Sequence, residues 1–119
     1  MKVLRKSDTP ETPAVAPIFE GDVTRRDMVS RDDSSQVTVT LVRFLQGAKN
    51  KLHVHTADQV LYITEGHGLV GNRDGHHQVE AGDIAHIPAG EPHWHGAQAG
   101  HDMAHLSILP PCDTSIVEE

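Results

Sequence analysis

Turn-forming residues return every eight to twelve residues along most of this chain, and no window between them sustains apolar residues at helical spacing. That rhythm leaves room for short strands and little else, so the chain reads as an all-β sandwich or barrel. Val37, Val39 and Leu41 alternate with Thr38, Thr40 and Val42, a period-two run rich in β-branched residues. Residues 59–65 form a second such run, which Gly66 to Gly68 is expected to close. Residues 69–72 then lead into the hairpin signal Arg73-Asp74-Gly75, and 77–80 return from it. Turns at Gly82-Asp83 and Pro88-Ala89-Gly90 flank a strand at 84–87. Residues 93–97 and 103–109 are the expected last two barrel strands. Residues 1–20, with Pro10, Pro13 and Pro17, are expected to form an extended N-terminal arm, and 21–119 a single barrel domain. Pro110-Pro111 stops the final strand, and the acidic tail to Glu119 is expected to be loosely held.

With 119 residues the chain can build one core, and with aromatics at only 3% that core must be filled by Val, Ile, Leu and Ala. The formal net charge of -7 disfavours nucleic acid and anionic membranes as partners, since both want clustered positive charge. Cys112 is the only cysteine, so an intrachain disulfide and a cysteine-based zinc site are excluded. It is read as an incidental thiol, because no local base accompanies it. The basic start gives way to a polar, proline-rich stretch where a secretory signal needs an apolar run, and no segment approaches the roughly 20 apolar residues of a membrane span. A cytoplasmic location is the simplest expectation.

Ten histidines need an explanation, although that many would produce about one His-x-His pair by accident. Residues two apart in a strand share a face, so His53 and His55 aim together and Val54 points away. Gln59 has the same parity, and Leu61 and Ile63 continue that inward face while Val60, Tyr62 and Thr64 turn outward. His93 would arrive on another strand, delivered by the turn at 88–90, with His95 on its face. Three imidazoles and one amide on rigid strands suit a divalent metal. Thr40, Val42, Phe44 and Leu61 are the expected walls of a weakly polar substrate pocket. His67, His76, His77, His86 and His101 fall at turns or strand edges and read as solvated surface residues.

Two stretches carry a family resemblance. Gly47-x5-His53-x-His55-x3-Gln59-x6-Gly66 resembles the first cupin motif, with Gln59 where that family usually has Glu. Gly82-x5-Pro88-x-Gly90-x2-His93 resembles the second, with Ala97 in place of its terminal Asn. The resemblance implies a double-stranded β-helix, or jelly-roll barrel, that is usually a homodimer and holds one metal in its mouth. The segment His93-Trp94-His95-Gly96 with Met103-Ala104-His105-Leu106 is similar to the manganese-binding bacterial cupins with hydroxynitrile lyase activity. By that resemblance the metal ligands are His53, His55, Gln59 and His93, and Mn²⁺ is favoured over Fe²⁺, Ni²⁺, Co²⁺ or Zn²⁺.

A Gln ligand leaves the full +2 charge on the site, which makes metal oxidation harder and Lewis acidity greater. The leading expectation is therefore a lyase acting on a small carbonyl or hydroxyl compound, with His95 or His105 moving a proton. Each of those histidines could instead orient a ligand. The alternatives are an Fe or Ni dioxygenase, a sugar-acid isomerase, or a cupin that binds a metal or small molecule without turning it over.

Overall fold

The structure is a computed structural model that describes residues 1–118. Among the described residues there are twelve strands and no helix: β1 (Thr12–Pro13), β2 (Phe19–Glu20), β3 (Val23–Val29), β4 (Thr38–Phe44), β5 (Lys49–Asn50), β6 (His53–His55), β7 (Gln59–Asn72), β8 (Gly75–Glu80), β9 (Ile84–Ile87), β10 (His93–Ala97), β11 (Met103–Leu109) and β12 (Thr114–Ile116). The expected all-β jelly-roll barrel is the fold observed. One antiparallel sheet runs β1-β3-β4-β11-β7-β9. The other runs β8-β7-β10, and β10 then pairs with both β5 and β6, which in turn carry β2 and β12.

Strand β7 belongs to both sheets, which is where the sequence reading needs correction. The glycines at 66 and 68 do not close the strand; it continues for 14 residues. Its register against β11 slips at Thr64, because Ala104 faces Glu65 while His105 faces Ile63. That bulge reverses which parity points inward. Before it Gln59, Leu61 and Ile63 are buried; after it Gly68 and Val70 are. Gly66 then turns the chain at φ +78° with its backbone hard against Asp102, a conformation and a clearance that a Cβ would not permit.

The apolar interior collects between the sheets. Val23, Val42, Phe44, Ala48, Ile63, Ala97 and Met103 form one buried group, and Leu61, Val70 and Ile87 a second. Aliphatic residues do fill most of it, as the low aromatic content requires. The unexpected filler is imidazole: His53, His93 and His105 are among the seven largest side chains that are fully buried.

Both ends of the chain join the sheets. Residues 1–20 bend through turns at 6–9 and 17–18, and β1 pins this segment to β3 while β2 pins it to β5, with Ala14 and Phe19 packed on the core. The tail is not loose over its described part either. Strand β12 pairs with β6 residue for residue, Thr114 opposite His55 and Ile116 opposite His53. Glu119 lies outside the described residues. Three residues with β-branched ends are too short to announce a strand, so this pairing had no signal in the sequence.

Candidate metal centre

His53 and His93 stand directly opposite one another across the β6–β10 pair. Cross-strand neighbours on one face are in contact, and their ring centroids are 4.3 Å apart. His55, two residues on and facing the same way, completes a triangle with centroids 5.0 Å from His53 and 5.3 Å from His93. One ligating nitrogen from each of the three lies within 4.8 Å of the others. Gln59 comes from the opposite sheet, as the first residue of β7, and its Oε1 sits 3.1 Å from His93 Nε2. The structure thus brings together all four residues that the sequence proposed.

Carbonyl partners at the far side of His53 and His93 fix which nitrogen of those two rings is free. His53 Nδ1 donates to the Lys51 carbonyl at 2.7 Å, and His93 Nδ1 donates to the Glu91 carbonyl at 2.9 Å. A carbonyl only accepts, so both rings carry their proton on Nδ1 and present the Nε2 lone pair inward. His55 Nδ1 bonds Thr114 Oγ1 at 2.8 Å, and its Nε2 is buried without any partner. Gln59 Nε2 donates to Ser107 Oγ at 2.8 Å, which turns Oε1 towards the histidines. Gln59 Oε1 and His93 Nε2 therefore face one another as two acceptors. A buried, unpartnered ring nitrogen beside two opposed acceptors is an arrangement a cation satisfies, so the donor set fits a divalent metal.

The electrostatics agree. Burial, with a smaller contribution from the neighbouring His93 ring, holds His53 down to about 3 and His55 down to about 4. Burial lowers His93 as well. Neutral imidazole is the ligating form, so nothing has to be deprotonated near neutral pH.

Beside this group lies a second pair. His95 is buried on β10 and His105 on β11, with His105 Nε2 and His95 Nδ1 2.9 Å apart. Asn50 Oδ1 accepts from the His95 backbone N–H at 2.8 Å, so its Nδ2 is the atom 3.1 Å from His95 Nε2. With Nε2 accepting from Asn50, His95 carries its proton on Nδ1 and donates that N–H to His105 Nε2. The His105 proton is then on Nδ1, a buried atom with no partner. Burial holds His105 down to about 4, and burial with the adjacent His105 ring holds His95 well below its ordinary value. Phe44 packs on both rings, with centroids 5.7 Å from His95 and 5.6 Å from His105.

A cavity of about 480 Å³ opens beside both groups, bordered by His53, His55, Gln59, His95 and His105. Thr40 and Val42 line it as expected; Phe44 and Leu61 do not. Both face inward but are wholly buried, Phe44 behind the paired rings and Leu61 against Val70 and Ile87. An inward-facing residue forms cavity wall only near the open end of a barrel, and these two lie in the packed part. His93 borders a separate, smaller cavity of about 270 Å³. The wall also contains Arg25 and Asp27 of β3, which the sequence reading missed along with Asn50, Ser107 and Thr114. Inward parity on β3 was the available signal for the charged pair; the other three had none. His67, His76, His77, His86 and His101 are exposed, as expected.

Comparison with known proteins places these features. The family described as Cupin domain matches residues 40–109. The chain is 32% identical over 101 residues to the (R)-mandelonitrile lyase of Granulicella tundricola, across 84% of this chain and 77% of that protein. It is 31% identical over 74 residues to the acireductone dioxygenase of Geobacillus thermodenitrificans, across 57% of this chain but 39% of that protein. Among solved structures, a cupin-like protein of Thermotoga maritima superposes with TM-score 0.82 at 23% identity, covering 100% of this chain and 90% of that one. A polyketide cyclase of Streptomyces resistomycificus gives 0.84 at 21% identity, covering 100% and 88%.

Proposed function

This chain belongs to the cupin family, and on that premise we propose that it is a metal-dependent enzyme of lyase type, cleaving or forming a C–C bond next to an oxygenated carbon. The observation that carries the reading is the convergence of three imidazole nitrogens and one amide oxygen with no carboxylate among them. A divalent cation bound there, Mn²⁺ by preference, would supply an undiminished Lewis acid for a substrate oxygen. His53, His55, Gln59 and His93 would hold it, and Ser107 keeps the amide oxygen of Gln59 turned inward.

The remaining residues handle the proton. As the C–C bond of a cyanohydrin breaks, the hydroxyl proton passes to His95 Nε2, the lone pair of the two rings not engaged between them, and the Asn50 amide gives up its hydrogen bond to that atom as the proton arrives. The pair returns it to the departing cyanide, so aldehyde and HCN are released and the histidines end as they began. Asn50 holds the His95 ring, Phe44 backs both rings, and Thr40 and Val42 shape the adjoining wall. The name of the Granulicella relative supports this choice of reaction.

The test is aldehyde release from mandelonitrile by the Mn²⁺-loaded protein. His95→Gln and His105→Gln are expected to lower kcat by about 10²–10⁴ while metal content is kept. Full turnover in His53→Ala would refute the reading. A second reading, dioxygenation, is favoured by the Geobacillus relative; oxygen uptake by iron-loaded protein with no aldehyde release would select it.

A further inference from the structure

The cavity wall carries charge that the proposed lyase chemistry does not use. Among the described residues, Arg25, Asp27 and Arg31 are the only Asp, Glu, Lys or Arg side chains bordering the cavity, so that lining is formally +1 in a chain of net charge -7. Arg25 and Asp27 sit on the inner face of β3, opposite Val42 and Thr40 of β4. Arg25 Nη2 bonds Asp27 Oδ1 at 2.8 Å, and Thr40 Oγ1 approaches the same oxygen at 3.5 Å. That one bond occupies a single N–H of a guanidinium that has five, and the rest of the fork remains available to an oxyanion. Arg31 has a similar surplus, since Nη2 donates only to the Cys112 carbonyl at 3.2 Å.

We infer that Arg25 is the specificity residue of the cavity and that the substrate is a small oxo- or hydroxy-acid, with its carboxylate on Arg25 and its other oxygen at the His53–His55–Gln59 end. This rests on the reading of that end as a metal site. The inward placement is what decides it. The pair is partly exposed, with side chains 45% and 56% accessible, but it stands at the open mouth of the same cavity that the histidines border. Asp27 tunes the site: it anchors the guanidinium, and it also repels an incoming carboxylate, which limits affinity in the resting pair.

The test uses 4-oxobutanoate, 5-oxopentanoate and 6-oxohexanoate against their primary amides, whose length prevents both ends from chelating one metal. Mn²⁺ uptake is measured first on the wild type and on Arg25→Gln, then ligand affinity on each by calorimetry. At least one acid is expected to bind wild type about tenfold more tightly than its amide, and Arg25→Gln to reduce that ratio to below about twofold. Asp27→Asn is expected to tighten acid binding and leave amide binding unchanged. A ratio that survives in Arg25→Gln, or no preference for the acid in folded, metal-loaded wild type, would overturn the inference. Failure to take up Mn²⁺ would refute the metal reading instead. Acid and amide are then compared on the metal-free protein, where an acid preference lost in Arg25→Gln supports the Arg25 assignment and no preference overturns it.

Discussion

Each residue of the centre is set by a partner that the ligand pattern alone would not reveal. Ser107 is the clearest case, because the direction of the Gln59 amide depends on it. Ser107→Ala frees the amide to turn its nitrogen towards His93, and should weaken Mn²⁺ binding by about 10–100-fold with the fold intact; unchanged affinity in a calorimetric titration would contradict the role. The buried imidazoles also set a pH dependence. Their folded pKa values lie below the ordinary 6.5, so the unfolded chain binds more protons once pH falls beneath that value. The metal-free protein should therefore lose Tm steadily from pH 6.5 to 4.5. Above that window the stability is fully present. The lowered carboxylates Glu11 and Glu65, held down by Arg43, titrate beneath it and add their own loss only at lower pH. A flat Tm across the window, followed by differential scanning calorimetry, would show that these histidines are not held neutral by the fold.

Among the elements, β7 is the one on which the barrel turns, and Gly66 is where it does so. A Cβ there would lie 2.0 Å from the Asp102 carbonyl oxygen, on top of the positive φ, whereas a Cβ on Gly90 at φ +81° meets nothing within 4 Å. Gly90→Ala should cost about 1 kcal/mol from backbone strain alone, and Gly66→Ala at least ~2–3 kcal/mol. Equal urea midpoints for the two variants would contradict this reading of β7. The comparison also shows what the sequence made legible. Glycines mark turns, and alternation marks faces, so the strand run from 37 to 109 and the shared face of His53, His55, His93 and His95 could be read directly. Parity is a local rule, however, and it fails at a bulge. Nothing in Thr64 signals one, so alternation and glycine content alone end the strand at Gly66. β12 was missed for the opposite reason: it is held by pairing with β6, a contact made only after the fold has formed. Thr114, which orients His55, went unseen with it.

At the scale of the whole molecule, the two sheets place donors from opposite walls around one point. Resemblance to the two cupin motifs had named those donors; the structure shows that they meet. The outer face of the β4-β11-β7-β9 sheet carries an apolar patch, with Val39, Leu41, Leu106 and Ile108 half-buried and Tyr62 and Ile84 exposed at 40% and 66%. We propose that a second copy covers it, as the family resemblance implies. Sedimentation velocity should give twice the chain mass of 13.0 kDa, and Tyr62→Arg with Ile84→Arg should return the monomer. No helix among the described residues is long and apolar enough to cross a membrane. The decisive measurement concerns the centre itself: protein stripped by a chelator, titrated with Mn²⁺ and analysed for metal. About one equivalent per chain, absent in His53→Ala and weakly held in Gln59→Ala, is the expected result. Folded wild-type protein that takes up neither Mn²⁺ nor Fe²⁺, Co²⁺, Ni²⁺ or Zn²⁺ would contradict it.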